Sequence, residues 1–153
     1  MRRDIRDIDL DSEIEDVADL LLEMQAESPF FSEFEPDVDH FVFITDHIEN
    51  NKGFAKAAVF NGKMVGVMLG IVSTISFIKA TCAREIVLYI KPEHRDSFFS
   101  IRLIKEFEKF AKSREVDFIN MGITSEINDS RIGQLYERLG YEPKGRNYSK
   151  RIS

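Results

Sequence analysis

The chain has 153 residues, 43% hydrophobic and 31% charged, with 27 Asp and Glu against 21 Lys and Arg. That length suits one core, so a single domain over 1–153 is expected, and the composition excludes disordered and collagen-like chains. No apolar run reaches the ~18 residues of a membrane span; the charged start Met1-Arg2-Arg3-Asp4-Ile5-Arg6 lacks the apolar stretch of a secretory signal, so a cytoplasmic location is expected; and one cysteine, Cys82, with three histidines lacking HxH or HExxH spacing, argues against a disulfide or a metal enzyme.

In Arg3 to Asp9, Ile5 and its apolar partner are separated by charges, and the stretch reads as a short strand. Asp11-Ser12-Glu13 opens a helix, with Asp11 or Ser12 as its cap and acids suited to the positive end of the helix dipole. Ile14, Val17, Leu20 or Leu21, and Met24 give it an apolar stripe to about Gln25, where Ser28-Pro29-Phe30-Phe31 breaks it. Pro36 starts a second helix, with Val38, Phe41, Val42, Ile44 or Thr45, and Ile48 on its inner side. Asn50-Asn51-Lys52-Gly53 ends that helix. Phe54 to Phe60 and Lys63 to Ile75 are strands joined by an Asn61-Gly62 hairpin turn. Thr81 to Lys91 is a third strand of this group, whose run Ile86-Val87-Leu88-Tyr89-Ile90 suits burial on both faces. Ser97 to Ser113 is the clearest helix, lined by Ile101, Leu103, Ile104, Phe107, Phe110 and Ala111. Val116 to Thr124 is a strand, and Ser130 to Leu139 a short helix stopped by Gly140 in a left-handed position. One or two final strands are expected within Tyr141 to Ile152.

This order predicts an α+β fold, a mixed α/β sandwich. Its sheet is expected to be largely antiparallel, with six to seven strands and about four helices on both faces. The strands beginning at Thr81 and Val116 are expected to run parallel, because helices follow each of them.

Charge is unevenly spread. Residues 1–50 hold 16 acids and 3 bases, a net of −13, and residues 51–153 hold 11 acids and 18 bases, a net of +7. Such polarity suits an anion on the second part and a cation near the first. An acidic helix face that is simply solvated gives the same count. The acidic total disfavours general nucleic-acid binding.

Two segments carry chemistry. A helix start after Lys91 and Arg95 presents unpaired N–H groups to an anion such as a pyrophosphate. In Gln134-Leu135-Tyr136-Glu137-Arg138-Leu139-Gly140-Tyr141, Tyr136 lies at the edge of the apolar stripe. It is either a core residue with its hydroxyl at the rim or a positioned proton donor.

Together these segments resemble the GCN5-related N-acetyltransferases. The family's acyl-CoA motif runs (Val/Ile)-x-Pro-x-x-(Arg/Gln)-x-x-Gly-x-(Gly/Ala), and this chain has Ile90-Lys91-Pro92-Glu93-His94-Arg95-Asp96-Ser97-Phe98-Phe99-Ser100. The later motif, Leu-Tyr-x-x-x-Gly-(Phe/Tyr), matches Leu135 to Tyr141. The element order is similar over nearly the whole chain, and the closing residues look most like short stand-alone members, including ones carried by bacteriophages. The resemblance implies an acyl-CoA N-acyltransferase fold that transfers an acetyl group from acetyl-CoA to a primary amine. That amine is a small cationic molecule, or a lysine or N-terminus of a protein. It implies direct attack in a ternary complex and leaves room for a homodimer.

Carried over residue by residue, the resemblance places acetyl-CoA where the strands Thr81–Lys91 and Val116–Thr124 splay. Backbone near Leu88, Tyr89 and Ile90 would pair with the pantetheine arm. The diphosphate would rest on the N–H groups of Arg95, Asp96, Ser97, Phe98, Phe99, Ser100 and Ile101. Asn128, or Asp129 under another spacing, would touch the cofactor arm. Tyr136 matches the tyrosine that protonates the leaving thiolate, and Glu85 the carboxylate that serves as base in some members; a surface glutamate paired with Arg84 is the plain alternative. Phe98 stands where the family's first loop glycine falls, and is expected to keep helical dihedrals with its ring turned away. Asp96 adds a negative charge beside the anion. Both departures support an alternative, a catalytically degenerate relative that binds a protein partner. The first two helices form a wall of the acceptor cleft in the family; here Phe30, Phe31, Phe34, Phe41, Glu33, Glu35, Asp37 and Asp39 would suit a cationic amine, or the phenylalanines are core or dimer contacts. Cys82 is expected to be a packed strand residue.

Overall fold

The computed structural model describes residues 1–95, 97–122 and 129–152. Its elements in chain order are β1 (Arg3–Asp7), α1 (Ile14–Glu27), α2 (Val38–Asn50), β2 (Phe54–Phe60), β3 (Lys63–Thr74), β4 (Thr81–Ile90), α3 (Phe99–Ser113), β5 (Phe118–Asn120) and α4 (Asp129–Arg138), with short 3₁₀ turns at Phe31–Glu33 and Pro92–His94. The sheet order is β1-β2-β3-β4-β5. The first three pairings are antiparallel and β4 with β5 is parallel, as the intervening helix requires. The hairpin turn between β2 and β3 has φ of 48° at Asn61 and 82° at Gly62, the pair of left-handed residues that a two-residue turn needs.

Each face of the sheet carries its own core. On one side Val17 and Leu20 of α1 and Ile48 of α2 pack against Ala57, Val67, Leu69, Val87 and Tyr89. On the other, Phe99, Leu103, Phe107 and Ala111 of α3 pack against Phe54, Ala58, Met68, Ala83 and Ile90. α3 lies close because Gly70 faces it without a side chain: a Cβ there would stand 2.4 Å from Phe107 Cε1.

Several expectations need correction. The mixed α+β architecture with four helices is present, but the sheet has five strands among the described residues, not six to seven. The missing strands are those expected within Tyr141 to Ile152, a segment without strand structure. Pro143 offers no N–H there, Gly145 turns the chain with φ of 79°, and Tyr148 and Ile152 find no apolar face to cover. α1 has neither Asp11 nor Ser12 as its cap. Its first flanking residue is Glu13, whose carboxylate turns back to the Asp9 N–H (3.1 Å) and to Arg6 (2.7 and 2.9 Å). α2 is capped by Asp37, which accepts from the His40 N–H at 3.0 Å, and this rotation leaves Val38 68% exposed instead of inward. The run through β4 is not buried on both faces throughout, since Ile86 sits in a bulge and is 37% exposed.

Candidate active site

β4 has two different edges. Towards β3 it is paired almost throughout, from Thr81↔Thr74 to Ile90↔Gly66. Towards β5 it pairs only through Cys82↔Phe118, Ala83↔Ile119 and Arg84↔Asn120. Among the described residues the stretch from Glu85 to Ile90 therefore has no strand beside it on that side. A bulge marks the change: Leu69 faces Val87 and Gly70 faces Glu85, so Ile86 has no partner in the register. An unpaired strand edge presents alternating N–H and C=O groups, a template for an extended ligand carrying amides.

At the divergence, two side chains meet one peptide. The Tyr136 hydroxyl, on α4, donates to the Gly122 carbonyl at 3.2 Å. The Glu85 carboxylate, on β4, accepts from the Gly122 N–H. Burial pushes the Glu85 carboxyl up to about 7, with the Gly122 N–H opposing the shift. Burial also raises the Tyr136 phenol, reinforced by the charges of Glu85 and Tyr141, so Tyr136 stays protonated across the neutral range. Both groups are raised and both bond to the Gly122 peptide, which leaves a carboxyl that titrates near neutrality beside a phenol that stays protonated.

The end of α4 fixes Tyr136. Gly140, with φ of 93°, lets the Gly140 N–H reach Glu137 O (3.1 Å) and the Tyr141 N–H reach Tyr136 O (3.0 Å), a glycine-terminated helix end. The Tyr141 ring lies 5.9 Å from that of Tyr136, and its hydroxyl donates to Glu108 of α3 at 3.4 Å.

The mouth of α3 lies beyond Ile90. Its first intrahelical bond runs from the Arg102 N–H to Phe98 O at 3.0 Å, which leaves the N–H groups of Phe99, Ser100 and Ile101 without an acceptor inside the helix. The Arg95 N–H is already engaged with Pro92 O at 3.4 Å, and the Ser97 hydroxyl with His94 O. Phe98 does not keep helical dihedrals. It adopts φ of 63° and ψ of 5°, and its ring is 72% exposed rather than lodged between the strands. Phe99 is buried under α3. Leu88 is half-buried and Tyr89 and Ile90 are buried, so at these positions it is backbone that faces the open edge. Asp96 and Asn128 lie outside the described residues.

The Arg95 side chain turns inward. Its Nη1 and Nη2 donate to Glu27 at 2.5 and 2.7 Å, its Nε donates to Ile90 O at 2.9 Å, and its guanidinium lies 5.4 Å from the centre of the Tyr89 ring. The Tyr89 hydroxyl donates to the same Glu27 carboxylate at 3.0 Å. Lys91 pairs with Glu23, one turn earlier on α1, at 3.4 Å. Sequence reasoning missed Glu27 and Gly122. The first carried a signal, since Glu23 and Glu27 are four apart, as are Lys91 and Arg95. A backbone peptide carries none.

On the α1–α2 side, Phe30 stacks edge-on to Phe31 and Phe34 at 5.3 and 5.5 Å. Arg151 lies over Phe34 at 5.2 Å and pairs with Glu33 at 2.6 Å, so part of the acidic, aromatic rim already holds a cation from the chain itself. Cys82 is buried beside the Ser73 hydroxyl at 3.4 Å, as a packed strand residue. Among the described residues no three acidic, His or Cys side chains are grouped to hold a metal, and no helix is long and apolar enough to cross a membrane.

A sequence profile of the acetyltransferase (GNAT) family matches residues 18–141. No curated protein matches the sequence. Among solved structures, the glucosamine-6-phosphate N-acetyltransferase of Arabidopsis thaliana is similar with a TM-score of 0.75 at 11% identity, over 100% of both chains. The ribosomal-protein-alanine N-acetyltransferase of Brucella melitensis gives 0.71 at 19%, over 99% of this chain and 100% of the other. AAC(6')-Iy, solved with a bisubstrate analogue of CoA and monomethyl-acetylneamine, gives 0.74 at 15%, over 100% and 99%.

Proposed function

Because the chain belongs to the acetyltransferase (GNAT) family, we propose that it moves an acetyl group from acetyl-CoA to a primary amine by direct attack in a ternary complex. The observation that carries this reading is the meeting of Tyr136 and Glu85 at Gly122, just past the last described β4–β5 pair. The backbone from Glu85 to Ile90, which no strand flanks on that side among the described residues, suits the amides of a pantetheine arm, and the first-turn N–H groups of Phe99, Ser100 and Ile101 suit a diphosphate. The donor set therefore fits the co-substrate.

At neutral pH an amine is mostly ammonium. Glu85, balanced near 7, takes a proton from it. The freed nitrogen lone pair then attacks the thioester carbonyl carbon, the C–N bond forms and the C–S bond breaks. Tyr136, kept protonated, gives its proton to the departing sulfur; the acylated nitrogen then loses its second proton, which returns through water to the phenolate, and Glu85 releases the first to solvent. Holding both reactants together supplies much of the rate. The acceptor belongs to the small cationic amines or to the lysines and N-termini of proteins. The acidic, aromatic rim between α1 and α2 supports a cationic acceptor, and the similar solved structures include an aminoglycoside acetyltransferase and a ribosomal-protein-alanine N-acetyltransferase.

The test is twofold. CoA should raise the melting temperature of the protein. Tyr136→Phe should lower turnover by about a hundredfold with CoA affinity within about twofold of wild type. Absence of any CoA-dependent stabilisation overturns the reading, and undiminished turnover removes Tyr136 from its role.

A further inference from the structure

We propose that Glu27 is a positioning residue for the acyl carrier: one carboxylate at the end of α1 holds the open end of β4 and the turn before α3 in fixed relation. The assignment rests on the transferase reading above. Both surfaces proposed to hold the carrier meet at this group. The end of β4 arrives through the Tyr89 hydroxyl at 3.0 Å, and the turn arrives through a two-pronged contact with Arg95 at 2.5 and 2.7 Å. Arg95 closes the loop by donating to Ile90 O at 2.9 Å, the last carbonyl of β4.

The pairing is strong for its kind. A guanidinium and a carboxylate in parallel two-bond contact gain direction as well as charge, and the Glu27 and Arg95 side chains are only 30% and 18% exposed. The hydrogen bonds from Arg95 lower the Glu27 carboxyl from its ordinary value, so it is ionised at neutral pH. Lys91 with Glu23 repeats the tie one turn away, between more exposed groups.

This arrangement decides how an anion is held at the mouth of α3. Arg95 stands where a cationic side chain would greet a phosphate, yet three of its nitrogens are spent on Glu27 and Ile90. The diphosphate is left to the N–H groups of Phe99, Ser100 and Ile101. Those amides serve only if the preceding turn is placed correctly, and the turn is placed by Arg95 through Glu27. Two opposite outcomes therefore separate positioning from masking. If Glu27 positions, its loss weakens binding; if it merely neutralises Arg95, its loss frees a cation and tightens binding.

The experiment is isothermal titration of CoA into the wild-type protein and into Glu27→Gln, Glu27→Asp, Arg95→Met and the Glu27→Gln/Arg95→Met double variant, with steady-state kinetics in acetyl-CoA. We expect Glu27→Gln to raise the CoA dissociation constant and the KM for acetyl-CoA by about tenfold, with kcat within about twofold. Glu27→Asp should recover part of the loss, and the double variant should bind no worse than Arg95→Met alone, because the two residues act as one unit. Unchanged or tighter CoA binding in Glu27→Gln overturns the assignment, as does an additive double variant or a loss confined to kcat. Wild-type protein that binds no CoA overturns the transferase reading, and the assignment with it.

Discussion

Glu85 ties stability to pH at a single side chain. Its carboxyl sits at about 7 in the folded protein against an ordinary 4.5. Below 4.5 both folded and unfolded chains carry the proton. Between 4.5 and 7 the unfolded chain has lost it and the folded chain keeps it, so stability falls as pH rises through this window and then levels off. The full effect is at most about 3 kcal/mol. Glu85→Gln should flatten this slope, measured by urea denaturation at pH 5 and pH 8. If Glu85 is the base, kcat/KM rises through pH 7 in the wild type, and the glutamine variant loses that rise. A variant that keeps the same pH limb shows that another group takes the proton. The sequence offers Glu85 and Tyr136 as candidates through the family resemblance. It does not offer Gly122, which both of them touch, since its part is played by N–H and C=O groups that every residue owns.

At the scale of elements, the start of α3 shows where sequence pattern stops short. The apolar periodicity of this helix is clear from Ile101 onward, and its end at Ser113 was legible. The helix begins two residues later than its periodicity indicates, because periodicity does not reveal that the chain must pass through a left-handed residue to turn from Pro92–His94 into the helix. That residue is Phe98, with φ of 63°. A side chain there costs roughly 1–2 kcal/mol, partly offset by the greater freedom glycine has when unfolded. Phe98→Gly should therefore stabilise the protein by about 0.5–1 kcal/mol, seen as a higher urea midpoint with an unchanged slope. The ring is too exposed for its removal to cost much burial. β2 and the bounds of β3 and β4 were legible to within a residue, since alternation and the Asn61-Gly62 turn fix both register and face. The tail after Tyr141 forms no strand, and the sequence does not show this, because short apolar residues among charges look the same whether or not a sheet edge receives them.

For the whole molecule, the charge polarity of the sequence has a structural answer that its two halves do not show separately. Acids of the first fifty residues reach bases of the remainder: Glu23 to Lys91, Glu27 to Arg95, Glu33 to Arg151 and Asp7 to Lys56. Part of the opposition is thus spent inside the fold rather than on partners. Most of these pairs are substantially exposed, and salt that weakens them also relieves the net charge of −6. Raising sodium chloride from about 0.05 to 0.5 M should change unfolding free energy by no more than about 1 kcal/mol. A larger fall, followed by urea titration, would mean that ion pairing carries more of the fold than this geometry allows.

The unmatched Ile86 has a wider consequence. Ala83 sides with α3, whereas Val87 and Tyr89 side with α1 and α2, although all three have odd numbers. The extra residue inverts the strand's parity midway, and only because of it does Tyr89 point at Glu27. Shortening the strand by that one residue would send the phenol to the opposite side of the sheet while altering no other amino acid. What selection must preserve here is a count, and an insertion or deletion would do damage that no substitution at Ile86 could reproduce.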